Sequence, residues 1–99
     1  MNVFLLFDDY TYDGDCEDIL VTPCISKEVA EQRLKERWEW YKKKTYISQF
    51  FDNNGNLIED MLDEAFDECD VTTESVDFYC GGKDISLSLY IVEKIIVED

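Results

Sequence analysis

The sequence predicts a single α+β domain over residues 1–99, in which an antiparallel sheet of about four strands carries two helices on one face. Three observations predict this fold. Apolar strand-like runs flank turn signals near both ends of the chain, which is typical of β-hairpins. The residues between these runs repeat apolar side chains at helical spacing. The 99 residues are 45% hydrophobic and 14% aromatic, which is enough to build one core.

The first hairpin is predicted from residues 3–12, which run from Val-Phe-Leu-Leu-Phe to Tyr-Thr-Tyr. The Asp-Gly-Asp sequence at 13–15 is a turn signal, and residues 19–22 are the expected return strand. The connecting loop would have about six residues. Pro23 is expected to close the second strand, because proline has no N–H to donate to a sheet.

The first helix is predicted to follow. Ser26 is the expected N-cap, and Glu28 in the first turn suits the helix dipole. Three lysines at 42–44 suit the C-terminal end in the same way. Apolar residues recur at helical spacing and mark the expected buried stripe: Ala30, Leu34, Trp38 and Tyr41.

The middle of the chain is predicted to hold a second helix. Residues 46–51 are either a short strand or a packed loop, and the Asp-Asn-Asn-Gly-Asn sequence at 52–56 is a strong turn signal. After this turn, one apolar face is expected from Ile58, Met61, Leu62, Ala65 and Phe66. The opposite face would carry six carboxylates, those of Glu59, Asp60, Asp63, Glu64, Asp67 and Glu68.

The second hairpin is predicted near the C-terminus. Residues 76–80 form the first strand and residues 81–84 the turn. Residues 85–91 alternate strictly between apolar and polar side chains, as a half-buried antiparallel strand does, and residues 92–97 extend it. The sheet therefore has four or five strands.

The charge of the chain bears on its partners. Twenty-four acidic residues against nine basic ones give a formal charge of −15, whereas a small domain is soluble with a net charge of about 2–8. Excess like charge destabilises the folded state, and a partner with a basic surface would compensate for it. The charge argues against nucleic acid and anionic membranes as direct partners. The start of the chain lacks the basic region of a secretory signal, so a cytoplasmic location is expected.

Catalytic and metal-binding patterns have little support. The chain has no histidine, and its four cysteines form no C-x-x-C pair, so free buried thiols are expected rather than a zinc site. The acidic loops do not fit the calcium-loop pattern and are interpreted as ordinary turns. We therefore expect neither enzyme activity, nor a cofactor, nor a bound metal.

The acidic face of the second predicted helix is the first candidate site. It places like charges at i,i+4 positions, each of which costs a few tenths of a kcal/mol in an isolated helix. A face that is merely solvated usually interleaves lysines. Two interpretations stay open: a solvated acidic face, or a surface that spaces negative charges as a phosphate backbone does.

Two further features add candidates. Seven of the nine basic residues lie between Lys27 and Lys44, so this segment nets +3 and the rest of the chain −18, which could orient docking or simply form ion pairs. Trp40 lies off the buried stripe and could be an exposed binding anchor or could pack on a neighbouring loop. The candidate partner-binding residues are Glu59, Asp60, Asp63, Glu64, Asp67, Glu68, Trp40, Asp13 and Asp15.

The first third of the chain resembles a loose family of small uncharacterised proteins of low-GC Gram-positive bacteria and their phages. The matching residues are 3–6, 10–14, 17–19 and 26–31, which run strand, acidic aromatic loop, strand and helix start, and a vaguer match lies in the final hairpin. This family supplies no activity. In overall character the chain is similar to anti-restriction and anti-CRISPR proteins that imitate nucleic acid, although it shares no motif with them.

These observations lead to two functional hypotheses. The first is a phage-encoded or mobile-element inhibitor that occludes the basic nucleic-acid-binding site of a host defence protein, with carboxylates replacing phosphates. The alternative is an acidic accessory or immunity-type domain that does not imitate nucleic acid, or that assembles with itself as a homodimer. The first hypothesis predicts competition with DNA or RNA for the partner, and the second does not.

Overall fold

The computed structural model describes residues 2–13, 16–63 and 66–97. Its main elements are β1 (Asn2–Tyr12), β2 (Cys16–Cys24), α1 (Lys27–Lys44), β3 (Glu68–Val71), β4 (Ser75–Cys80) and β5 (Ile85–Ile95). Short 3₁₀ turns cover Tyr46–Phe50, Glu59–Met61 and Gly81–Lys83. The α+β class is confirmed. The sheet has five strands rather than about four, and the described residues contain one α-helix rather than two.

The strands form one antiparallel sheet in the order β2-β1-β5-β4-β3. Both predicted hairpins are present, and β5 joins them by pairing with β1 on one side and β4 on the other. The first hairpin is tighter than predicted, since Tyr12 pairs with Cys16 and Asp13 takes a left-handed conformation with φ 53°. Pro23 does not close β2 but pairs with Leu5 inside it, which an edge strand tolerates.

Helix α1 matches its prediction. The Ser26 hydroxyl accepts a hydrogen bond from the Val29 N–H at 3.2 Å, which caps the helix start. The predicted stripe of Ala30, Leu34, Trp38 and Tyr41 is buried, and the three lysines end the helix. The helix therefore forms where its local signals place it.

The core lies between α1 and one face of the sheet, which we call the covered face. Inward side chains alternate along the strands and include Leu6, Tyr10, Val76, Phe78, Leu87 and Leu89. Residues 46–51, predicted as a strand or a loop, are mostly a 3₁₀ turn capped by the Thr45 hydroxyl, which buries Ile47 and Phe50. The opposite face of the sheet, called the open face, has no helix packed on it within the described residues.

The prediction of a second helix is wrong. Within the described part of the 58–68 segment only the turn Glu59–Met61 is helical, and Glu68 already begins β3. Apolar residues of its predicted buried face, such as Ile58, Met61 and Phe66, are exposed. No cation offsets the repulsion among its carboxylates, and the Asp67 side chain bonds to the backbone instead, so the segment gains little from helix formation.

Strand β3 was not predicted, because its sequence Glu-Cys-Asp-Val carries two carboxylates and lacks a clear strand signal. It forms by pairing with β4, where Cys69 lies opposite Phe78. None of the helices in the described ranges is long and apolar enough to cross a membrane.

Candidate partner-binding surface

The carboxylates predicted to share one helix face are spread over different structures. Glu59 and Asp60 are exposed in a 3₁₀ turn, Asp63 follows it, and Glu68 starts β3. Glu64 lies outside the described residues. The structure therefore does not bring these six groups together as a helical face would.

The Asp67 carboxylate forms hydrogen bonds within the fold. Its Oδ2 accepts from the Asp63 N–H at 2.9 Å and lies 3.6 Å from the Cys80 thiol, while Oδ1 accepts from the Gly81 N–H at 3.2 Å. The bond from Asp63, with those from Gly81 and Cys80, holds the pKa of the Asp67 carboxyl below its usual value. Asp67 thus ties the entrance of β3 to the β4–β5 turn.

Other carboxylates line up across the open face. Strand pairing places Asp70 opposite Asp77, Asp77 opposite Ser88, and Ser88 opposite Asp9. Neighbouring strands lie ~4.8 Å apart, so Asp70 and Asp77 are neighbours and Asp9 is two strands further on. The next row crosses the sheet as Glu68, Tyr79, Ser86, Thr11 and Glu17. We call these two rows, with their five carboxylates, the acidic rows.

The acidic rows contain no lysine or arginine. Like charges directly opposite each other destabilise a sheet, so the Asp70–Asp77 pair works against folding. The Ser88 hydroxyl donates to Asp77 Oδ1 at 3.3 Å, while Asp9 Oδ1 is buried without a hydrogen-bond partner among the described residues. An arrangement that is unfavourable for the fold is suited to a cationic partner.

The open face becomes apolar beyond the acidic rows. Phe7 lies between Val21 of β2 and Tyr90 of β5, and its ring stacks on Tyr90 with centroids 5.0 Å apart. The next row continues with Leu5 and Val92. These five residues, called the apolar patch, adjoin the acidic rows on the same face. One surface therefore offers both charge and buriable apolar area.

Trp40 lies on the other side of the sheet. It is 45% exposed, packs edge-on against Tyr41, and has the Arg37 guanidinium 4.8 Å from its ring centroid. It lines a cleft of about 640 Å³ between α1 and β2, whose wall also includes Leu20 and Tyr46. Trp40 is thus an exposed aromatic, but it is not part of the open face.

A buried ion pair lies beside this cleft. Asp8 is fully buried under α1, where its Oδ2 accepts from Arg37 Nε at 2.8 Å and from the Tyr41 hydroxyl at 2.9 Å. Burial and the Asp8 charge raise the pKa of Tyr41 to about 12. Sequence analysis missed Asp8, although a signal exists: it alternates with Leu6 and Tyr10, which are core residues.

The two acidic loops and the cysteines form no metal-binding site within the described residues. Asp13 is exposed in the β1–β2 turn, and Asp15 lies outside the described residues. In the acidic 52–56 turn, Asp52 Oδ1 accepts from the N–H groups of Asn54 and Asn56, both at 2.9 Å. Burial raises the pKa of the Cys80 thiol. Across the described ranges, no three cysteine or carboxylate side chains cluster as a metal site would need.

Of the predicted site residues that the structure describes, Glu68 alone belongs to the acidic rows. Sequence analysis missed Asp9, Glu17, Asp70 and Asp77, because their proximity follows from strand register rather than from sequence spacing.

No family model, curated protein or solved structure matches this chain.

Proposed function

We propose that this protein binds a basic surface of another protein through its open face and thereby occludes a nucleic-acid-binding site. The observation that carries the proposal is the pair of acidic rows, which hold five carboxylates and no cation beside the apolar patch. The predicted acidic helix does not form, so the proposed contact surface moves from residues 59–68 to the open face.

The two halves of the open face would contribute differently. The acidic rows would attract lysine and arginine side chains, which speeds association and makes it sensitive to salt. The apolar patch would supply the buried aromatic contact that keeps the complex together, since aromatic residues often dominate binding energy. Binding should therefore weaken with salt without disappearing.

Occlusion of a nucleic-acid site follows from the kind of surface that would match the acidic rows. A protein surface that binds DNA or RNA clusters lysine and arginine to neutralise phosphates. Carboxylates spaced by strand pairing would occupy the same cations. The class of target would then be the defence proteins that anti-restriction and anti-CRISPR inhibitors block.

The test uses two variants with the same change in net charge. Asp70→Asn/Asp77→Asn alters the acidic rows, and Glu59→Gln/Asp60→Asn alters the exposed 3₁₀ turn. Each immobilised chain captures proteins from a bacterial lysate at low salt, which are eluted with a salt gradient and identified by mass spectrometry. The captured protein is then tested for binding to a labelled DNA or RNA oligonucleotide with and without the chain.

We expect the wild type and the Glu59/Asp60 variant to retain a nucleic-acid-binding protein and to displace the oligonucleotide from it. The Asp70/Asp77 variant should lose both effects. Loss in the Glu59/Asp60 variant alone would return the site to residues 59–68. Equal behaviour of all three chains would contradict any specific use of the acidic carboxylates.

The apolar patch favours a second candidate function, that of an acidic accessory domain which does not imitate nucleic acid. Such a domain would rely on the Phe7–Tyr90 stack more than on charge. Tyr90→Ala should then abolish capture while Asp70→Asn/Asp77→Asn leaves it nearly unchanged. In that case, the oligonucleotide would not compete with the chain for the captured protein.

A further inference from the structure

Strand β2 is one edge of the five-stranded sheet, and its residues 16–21 are all exposed. Three consecutive apolar residues at its centre are exposed: Ile19 by 63%, Leu20 by 47% and Val21 by 44%. Successive strand residues point to opposite faces, so β2 is exposed on both. A long apolar edge with unpaired backbone groups is a template for pairing with another strand.

We propose that two copies of this chain pair through β2, antiparallel and related by a two-fold axis at Leu20, so that their sheets join into one. This inference goes beyond the proposed function and does not depend on it. Such an interface is isologous: the same strand of both copies forms it, and if residue i of one copy faces residue j of the other, residue j of the first faces residue i of the second.

The register avoids charge conflicts. With Leu20 opposite its own copy, Ile19 faces Val21 of the second chain, so the centre of the junction is entirely apolar. Asp18 then lies opposite Thr22, and Glu17 lies opposite Pro23. No carboxylate faces another within the paired strands, in contrast to the Asp70–Asp77 pair inside the sheet.

The backbone fits this pairing at its centre. Edge strands place proline where its missing N–H would face solvent, so the backbone of Pro23 points away from β1. In the proposed register Pro23 faces Glu17 of the second chain, from which its carbonyl can accept a hydrogen bond but to which its nitrogen cannot donate one, so each end of the junction lacks one bond. Backbone groups alternate along a strand, so Ile19 and Val21 also point outward and can exchange hydrogen bonds with Val21 and Ile19 of the second chain. Leu20 then occupies a non-hydrogen-bonded pair, where the two Cα atoms approach to roughly 4.5 Å.

The charges near β2 oppose pairing less than those in the rest of the chain, because the basic end of α1 reaches this edge. Lys44 of α1 and Asp18 of β2 line the same cleft. Joining two β2 strands would also continue the apolar row of Phe7 and Val21 into Ile19 of the second chain on the open face. The net charge of −15 per chain still opposes association, so the dimer should strengthen with salt.

The first experiment measures oligomeric state by sedimentation at low and high salt over a range of protein concentrations. The wild type should form a dimer whose fraction rises with concentration and with salt. Leu20→Lys should lose it, because two ammonium groups would meet at the axis. The matched control is Val71→Lys on the opposite edge, where Val71 is 48% exposed, and it should dimerise as the wild type does.

A second experiment guards against misfolding of the lysine variant. Leu20→Cys, in a Cys16→Ser background, should form an intermolecular disulfide on mild oxidation, because cysteines pair readily at such Cα separations. Val71→Cys in the same background should cross-link much more slowly.

Several outcomes would overturn the proposal. A wild type that stays monomeric at all salts and concentrations, with equal cross-linking at positions 20 and 71, would do so. Open-ended oligomers would rule out the two-fold register. A monomer whose capture of a lysate protein is lost in Leu20→Lys would assign β2 to a partner's strand instead. The proposed function is read from Asp70→Asn/Asp77→Asn, so the two proposals fail separately.

Discussion

Asp8 and Asp9 are consecutive residues of β1 that point to opposite faces of the same sheet. Asp8 is buried on the covered face and accepts hydrogen bonds from Arg37 and Tyr41. Asp9 lies on the open face in a row with Asp77 and Asp70, where no cation is present. The covered face pairs one oxygen of its carboxylate with a cation, whereas the acidic rows hold no cation. Among the described residues, Asp8 Oδ1 and Asp9 Oδ1 are both buried without a hydrogen-bond partner.

Phe78 and Tyr79 repeat the comparison in β4. Phe78 packs against Phe50 and Trp38 in the core, whereas Tyr79 is about half exposed between Glu68 and Ser86. On the covered face, contacts stabilise the fold. On the open face, a half-exposed side chain such as Tyr79 should contribute less to stability.

The largest expected change in the free energy of unfolding comes from truncating the buried side chain of Phe78. Phe78→Ala removes a fully buried ring and should lower the free energy of unfolding by ~4 kcal/mol. Tyr79→Ala is the matched change on the open face and should cost less than about 1 kcal/mol. Urea denaturation followed by circular dichroism measures both. Similar losses for the two variants would mean that the open face is also packed.

The next effect tests the buried carboxylate. Asp8→Ala leaves the Arg37 guanidinium without its partner and should destabilise the fold by about 3 kcal/mol, the low end for a broken buried pair because Arg37 is partly exposed. Asp9→Ala should cost much less, because the Asp9 Oδ1 that it removes is buried without a hydrogen-bond partner in the described residues. Equal effects in urea denaturation would remove the distinction between the two faces.

These contrasts also explain what sequence analysis could predict. Helix α1 was predicted because its signals are local: the Ser26 cap, the buried stripe and the terminal lysines all lie within it. The two hairpins were predicted for the same reason, the first from apolar runs beside a turn signal and the second from a turn followed by alternation over residues 85–91. The predicted ends of the second strand were less accurate: residues 19–22 were expected, whereas β2 starts at Cys16 and continues through Pro23.

The failures have non-local causes. The segment 58–68 shows helical apolar spacing, yet Asp67 bonds to the backbone of Asp63 and of Gly81, which is remote in sequence. Strand β3 depends on pairing with β4. The acidic rows join residues from all five strands, so no short stretch of sequence contains them. The charge of the chain was evident, but its placement was not.

Alkaline pH should weaken the covered face through Tyr41. Its pKa is raised from 10.0 to about 12, so the folded protein holds the phenol proton after the unfolded chain has lost it. The resulting stability is complete below pH 10 and is lost as the pH rises through about 12. Denaturation across this range, compared between wild type and Tyr41→Phe, checks the prediction. A decline that is equally steep in the variant would assign the effect to other groups.

The smallest effect is expected on the open face, and it has the opposite sign. Asp77→Asn removes the repulsion between Asp77 and Asp70 while keeping an oxygen that can accept from Ser88. It should raise the free energy of unfolding by ~0.3 kcal/mol at low salt, and the gain should vanish at high salt. Glu59→Gln makes the same change in net charge outside the strands and should give a smaller gain. If both variants gain equally, the acidic rows carry no special repulsion, and the inference that they are held for a cationic partner loses its energetic basis.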